Sequence, residues 1–268
     1  MNWKNIFMGA AVFALSAALL TGCGGSEKAP STDNAAEMGK IIVGLDDNFP
    51  PMGFKNEKNE IVGFDVDLAK EAAKRLGRDV EFKAIDWSSK EAELKSGRVQ
   101  ILWNGLDITE KRKENMLFSN PYMDNRQIIF VKKGNTSVTD EKSLAGKTVG
   151  TQSAGTAEEY IDATPFYKDE VKAVKKYPDY VAAFMDLENG RLDAVIGDEI
   201  VGRYYMSKHP DELAALDVVV GPTSEFGIAF AKDNTILRDE VQKVLDEMKK
   251  DGTMAKISTE WFTKDITK

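Results

Sequence analysis

One cysteine and one histidine among 268 residues leave little material for nucleophilic or metal chemistry. Cys23 has no second cysteine to pair with, which excludes intramolecular disulfides and a cysteine-based metal or redox centre. His209 lies in a polar Lys-His-Pro turn, so zinc or triad chemistry built on histidine is not expected. The residues suited to holding a charged small molecule stand instead at the ends of apolar runs. Arg112 falls in the first turn of a helix that Thr109 can cap, where free amides attract an anion and a guanidinium can grip a carboxylate through two hydrogen bonds. In Lys111-Arg112-Lys113 the residues alone favour a surface base. Asp198 follows the apolar run Ala194-Val195-Ile196; a carboxylate on a cleft wall requires a cation, although Asp198 could also cap the helix after it. Gln152-Ser153-Ala154-Gly155-Thr156 is a loop of small residues that allows close backbone approach, with Thr156 and adjacent amides as donors. Phe49, Trp87 and Asp46 are residue types, aromatic faces and a carboxylate, that would suit an ammonium or guanidinium if the fold brought them together; a partly structural role in the core is the alternative.

The elements that carry these residues alternate short apolar runs with amphipathic helices, an α/β pattern. Strands are predicted at 40–45, 80–84, 101–103, 128–131, 148–151, 173–177, 194–196 and 227–231. Helices are predicted at 65–76, 90–96, 109–115, 157–161, 177–189, 199–206, 235–251 and 253–261. Asp65 is placed to cap the first helix, Asp67 to add a first-turn acid and Gly77 to stop it. Leu94-Lys95-Ser96-Gly97-Arg98-Val99-Gln100-Ile101 parallels Leu187-Glu188-Asn189-Gly190-Arg191-Leu192-Asp193-Ala194, about 90 residues later. Each reads as a helix, a glycine cap, a buried strand and a polar loop, Asn104-Gly105-Leu106-Asp107 in one case and Gly197-Asp198-Glu199 in the other. Two lobes on one plan would put both loops at strand carboxyl ends, facing each other across a cleft. Gln100 standing where the second unit has Asp193 has no functional reading.

Composition limits the partners. Acidic residues number 44 against 36 basic, a net charge of −8, which gives no electrostatic reason to bind nucleic acid. Near the N-terminus, Lys4 precedes an apolar run, Ile6 to Leu20, too short to be a stable membrane span, and small residues lead to Cys23. The segment 24–36, rich in Gly, Ser, Asp, Asn and Ala, suits a flexible tether.

Three resemblances sharpen this picture. Gly63-Phe64-Asp65-Val66-Asp67-Leu68-Ala69-Lys70 resembles the signature of the polar amino-acid solute-binding proteins of ABC importers, the bacterial extracellular solute-binding family 3. Trp103 to Arg112 is similar to that family's strand, loop and helix bearing a carboxylate-binding arginine. Gln152 to Glu158 is similar to its second-lobe loop. Leu20-Thr21-Gly22-Cys23 resembles a lipobox, which implies a signal peptide at 1–22, a lipid on Cys23 and a tether over 23–39; an ordinary secretory signal is the alternative.

The family resemblance implies a two-lobed, periplasmic-binding-protein-like α/β fold of Venus-flytrap type. Lobe 1 would hold 40–127 and 226–268 and lobe 2 128–225, with crossing strands near Ile128–Val131 and just before Gly227. It implies a monomer, held outside the cytoplasm, that captures a polar L-amino acid and delivers it to ABC permease subunits without catalysis or a cofactor. Arg112, Thr156 and Asp107 would meet the ligand α-carboxylate, and Asp198, Asp107 and Gly105 its ammonium. Asp46, Phe49, Trp87, Asp65, Asn104 and Gln152 would surround its side chain. Asp107 departs from the family, which usually has Ser or Thr there; as an acceptor it should lean toward the ammonium. The acids Asp46, Asp65 and Asp107 rank basic ligands first, then glutamine or cystine. Cyclohexadienyl dehydratases share the fold and form the enzymatic alternative, and a ligand sensor is another; the lytic transglycosylases that use this lobe pair need a further domain for which the chain has no room.

Overall fold

Hydrophobic runs that must be buried on both faces become the central strands of two sheets in the computed structural model, which describes residues 39–268. The expected leader, Cys23 and the tether up to residue 38 lie outside the described residues. The chain begins with β1 (Lys40–Leu45), a small three-stranded sheet of β2 (Asn48–Phe49), β3 (Gly53–Lys55) and β4 (Ile61–Val62), then α1 (Phe64–Arg75) and β5 (Asp79–Ala84). A 3-10 turn (Trp87–Ser89) leads to α2 (Lys90–Lys95), β6 (Ile101–Asp107), α3 (Glu110–Asn115), β7 (Met116–Phe118) and β8 (Met123–Asn125). The middle of the chain supplies β9 (Gln127–Lys132), β10 (Thr148–Gln152), α4 (Thr156–Ala163), α5 (Pro165–Asp169), β11 (Ala173–Tyr177), α6 (Tyr180–Glu188), β12 (Ala194–Asp198), α7 (Glu199–Lys208) and β13 (Leu213–Val219). It closes with β14 (Ser224–Ala231), α8 (Thr235–Lys250) and α9 (Thr253–Phe262).

The first sheet has the order β5-β1-β6-β14-β7, with β8 also on β14, and the second β11-β10-β12-β9-β13. They follow one plan. β1 runs parallel to β5 and β6, as β10 does to β11 and β12. The returning strand is antiparallel in both, β14 on β6 and β9 on β12. The internal echo in the sequence is therefore a repeat of structure. Gly97 and Gly190 end α2 and α6 at φ +72° and +70°. Gln100 Oε1 accepts the Ile42 amide at 2.7 Å, and Asp193 Oδ2 accepts the Thr148 amide at 2.7 Å. An amide oxygen and a carboxylate oxygen here do the same work at the start of a central strand.

Three expectations need correction. Asn104 to Asp107 and Gly197-Asp198 are not loops but the last residues of β6 and β12, because the antiparallel neighbours continue the ladder through them: Phe226 pairs with Asp107 and Gln127 with Asp198. Asp65 is not the helix cap. That position belongs to Gly63 at φ +145°, where a Cβ would come within 2.2 Å of the Met52 carbonyl, and the Phe64 and Asp65 amides donate to Pro51 and Met52 carbonyls at 2.8 and 2.9 Å. Ile128–Val131 lies inside the second sheet, so the first crossing falls at Arg126, between β8 and β9; the return crossing spans 220–223. Asn125 and Ser224 pair across the two crossings.

The C-terminal helices dock on the first sheet. α8 buries Leu237, Val241, Val244, Leu245 and Met248, one stripe at helical spacing. Trp261 of α9 donates its indole N–H to Asp67 Oδ2 at 2.9 Å, which gives the first-turn acid of α1 a tertiary role. Among the described residues no helix is long and apolar enough to cross a membrane.

Candidate functional site

The carboxyl ends of β1, β6, β10 and β12 converge with the N-termini of α3, α4 and α6, and the buried charged residues Asp46, Lys90, Asp107, Arg112 and Asp198 gather there. Arg112 is 2% exposed, which rules out the surface-base reading. Thr109 Oγ1 accepts its amide at 3.2 Å, as expected of the cap. The guanidinium donates to the Asp107 carbonyl at 3.0 Å and to the Ala154 carbonyl of the facing sheet's loop at 3.3 Å, and pairs with Glu159 of α4 at 2.9 Å. It thus binds both lobes at once.

Asp198 precedes α7 but makes no side-chain cap to it, so its carboxylate is directed elsewhere. It accepts from Gln127 Nε2 at 2.8 Å and, over a short contact, from Asn125 Nδ2. Asn125 Nδ2 also donates to Asp107 Oδ1 at 3.0 Å, and the Ser224 hydroxyl to the same oxygen at 2.6 Å. Thr156 bears on the Asp107 carboxyl through its side chain, an inter-lobe contact. Burial raises the pKa of both acids, and Asp107 adds repulsion that helps push Asp198 up to about 7. Two carboxyls this close cannot both ionise in a dry site without a cation between them.

On the side-chain face, Phe49 packs on Tyr180 with ring centroids 6.0 Å apart, and Trp87 is buried at the head of its 3-10 turn. Asp46 Oδ2 accepts from Gln152 Nε2 across the cleft at 2.6 Å and Oδ1 from the Asn48 amide at 2.9 Å; burial pushes its pKa up to about 7. Asn104 Nδ2 donates to the Asp46 carbonyl at 2.9 Å. Asp65 is not brought to this face. Its Oδ2 accepts the Gly105 amide at 2.7 Å and the Tyr122 hydroxyl at 2.9 Å, so it is a strut under β6, fully buried and raised to about 7 by desolvation. Gly105 enters the site through backbone alone.

Several residues here escaped the sequence reading. Lys90, three positions after Trp87, is buried and donates to the Ala154 carbonyl at 2.8 Å; its spacing from Trp87 was the available signal. Gln127 meets Asp198 because β9 pairs with β12, Tyr180 because α6 packs on that same sheet, and Asn125 from the first sheet across the crossing; nothing local marks them. Buried polar atoms without a hydrogen-bond partner cluster here: Asn104 Oδ1, Gln127 Oε1, Thr151 Oγ1 and the Tyr180 hydroxyl. A separate cavity of about 1260 Å³ lies against the crossings and is reached, among the site residues, by Asn125 and Ser224. Among the described residues no group of three or more His, Cys, Asp or Glu could hold a metal ion.

Two like-built α/β sheets joined by paired crossings, with charged groups meeting between their carboxyl ends, define a two-lobed ligand-binding protein. The chain belongs to the bacterial extracellular solute-binding proteins, family 3, whose pattern it matches over residues 41–264. It is 33% identical over 233 residues to the L-cystine-binding protein TcyJ of Escherichia coli K12, covering 87% of this chain and 86% of that one. Among solved structures, an ABC uptake transporter substrate-binding protein from Streptococcus pneumoniae with bound histidine superposes with a TM-score of 0.84, at 32% identity over 88% of this chain and 99% of that one. An ancestral arginine-binding protein bound to arginine gives 0.79, at 41% identity over 84% and 98%.

Proposed function

We propose that this protein captures a polar L-amino acid outside the cytoplasm by closing two lobes around it and delivers it to an ABC permease, making and breaking no covalent bond. The lobes are 40–125 with 224–268, and 127–219, shifted by a few residues from the expected bounds, and turn about Arg126 and residues 220–223. The observation that carries the reading is that buried charges of opposite sign meet between the lobes: Arg112 of lobe 1 for the α-carboxylate, and Asp198 of lobe 2 beside Asp107 of lobe 1 for the ammonium. Thr156 and the partnerless Thr151, Gln127 and Tyr180 groups supply further contacts to the zwitterion. Since Arg112 and Asp198 stand on different lobes, only the closed form completes the site, and binding energy goes into closure. The relatives' ligands, cystine, histidine and arginine, are all amino acids, which supports the class. A lipid on Cys23, a monomeric state and permease docking complete the proposal.

The test is a melting screen of the full-length protein, unfolded and refolded to strip carried ligand, against the common L-amino acids. Ligand at a thousand times its dissociation constant stabilises by about 4 kcal/mol, on the order of 10 °C for a chain of this size. A flat response to every amino acid with a shift from prephenate would replace binding-for-transport with the dehydratase alternative.

A further inference from the structure

Lys90 is a buried cation at the site that this capture scheme leaves without a task. Its side chain is 3% exposed, and Nζ lies 5.2 Å from the centroid of the Trp87 ring. Its acceptors are neutral: the Ala154 carbonyl across the cleft at 2.8 Å and the Trp87 carbonyl at 3.3 Å. Arg112 also donates to the Ala154 carbonyl, so two buried cations converge on one uncharged oxygen. The facing acids already hold other cations, Glu159 with Arg112 at 2.9 Å and Glu158 with Lys176 at 2.7 Å. Among the described residues no carboxylate oxygen stands within 4.0 Å of Lys90 Nζ. Burial and repulsion from Arg112, only partly offset by the more distant carboxylates of Glu91, Glu159 and Glu158, lower its pKa to about 8, which still leaves it mostly charged at neutral pH. A desolvated cation with only carbonyl partners is a place for an anion.

The acids that rank a basic ligand first are meanwhile engaged inside the protein. Asp46 accepts from Gln152 and Asn48, Asp65 from Gly105 and Tyr122, and Asp107 from Asn125 and Ser224. A guanidinium side chain would have to share the Trp87 face with the protein's own ammonium.

We propose that Lys90 is a specificity-determining residue that receives a second carboxylate, so that the ligand is an α-amino acid with a carboxylate at the far end of its side chain, such as L-glutamate or L-cystine. The proposal rests on the capture reading above: the α-carboxylate goes to Arg112, the ammonium to Asp198, and the distal carboxylate to Lys90 along the Trp87 wall. Like-charge repulsion at the same point disfavours lysine and arginine.

Titration calorimetry of the stripped full-length protein at pH 7 with L-glutamate, L-cystine, L-arginine and L-glutamine tests it. One of the two dicarboxylate ligands should bind at least about tenfold tighter than arginine or glutamine, and Lys90→Met, which keeps the apolar stem, should lower that affinity by at least about tenfold without weakening arginine. Lys90→Gln, which keeps a hydrogen bond and loses the charge, should act in the same direction and serves if the methionine variant does not fold. A wild type that prefers arginine or glutamine, or losses below tenfold in the folded variants, overturns the Lys90 assignment alone. A wild type that binds none of the four overturns the Lys90 assignment, and the capture reading falls with it only if the melting screen is also flat for every common L-amino acid.

Discussion

Ligand binding should expel a proton from Asp198, and the size of the effect follows from where that carboxyl sits. Burial and the neighbouring Asp107 carry its pKa from 3.8 to about 7. In the free protein at pH 6 a group with that pKa is about nine-tenths protonated, whereas a carboxylate paired with the ligand ammonium is ionised. Affinity should therefore fall as pH drops below 7, by about tenfold at pH 6 and about a hundredfold at pH 5 relative to pH 8, for one proton released. Neither charged group of the ligand backbone titrates in that range. The groups facing Asp198 are Asp107 of β6, Asn125 of β8, Gln127 of β9 and Tyr180 of α6, so Asp107 is the neighbour able to steepen the slope. Calorimetry at pH 6 in buffers of different ionisation enthalpy counts the protons directly. The same linkage has a second face in the free protein. Asp46, Asp65 and Asp198, all raised to about 7, contribute stability that is fully present below their unfolded value of 3.8 and is lost as pH rises through 7. The stripped protein should accordingly melt higher at pH 5.5 than at pH 8, with added ligand narrowing the gap. An affinity that is flat from pH 8 to pH 5, or proton uptake on binding, refutes the assignment of Asp198 to the ammonium.

Other substitutions separate recognition from support. Arg112→Met should lower affinity by about thirtyfold or more, since truncating one partner of a buried charge pair costs about 2–5 kcal/mol; titration with the preferred amino acid checks it, and near-normal affinity removes Arg112 from the site. Asp65→Ala strands the Gly105 amide and the Tyr122 hydroxyl, so it should destabilise by about 2–4 kcal/mol, visible as a melting point lower by roughly 5–15 °C. Gln100→Ala and Asp193→Ala should each cost about 1–3 kcal/mol in urea unfolding and leave ligand ranking unchanged, because each strands one strand amide away from the site.

The division between what could and could not be read from the chain follows the range of the interactions involved. β1 and β11 are strands at the expected bounds, and α3 starts after the Thr109 cap, because strand period and helix cap are local signals. Local signals place Arg112 in a capped first turn and Asp198 at the end of an apolar run, but it is the family resemblance that singles them out, since a base between two lysines reads locally as a surface residue. Asn104 to Asp107 misled because local propensity says loop, whereas the ladder to β14 is long-range and overrides it. Lys90 went unread for a related reason. A lysine at the head of a helix is ordinarily solvated, and its burial depends on the Ala154 loop, which belongs to the other lobe. Asp65 is a third case, where the family word marks the right residue but the structure gives it to the backbone of β6 rather than to a ligand. The repeat supplies the counter-example. Gln100 and Asp193 differ in charge, yet their equal spacing from the helix-ending glycines brings each to the amide of a central strand, so position within the repeat carried information that residue identity concealed. Charge identity matters where water is excluded and partners are few, and on that reasoning Lys90, buried against Trp87 with only carbonyls to meet it, is the residue on which ligand choice should turn.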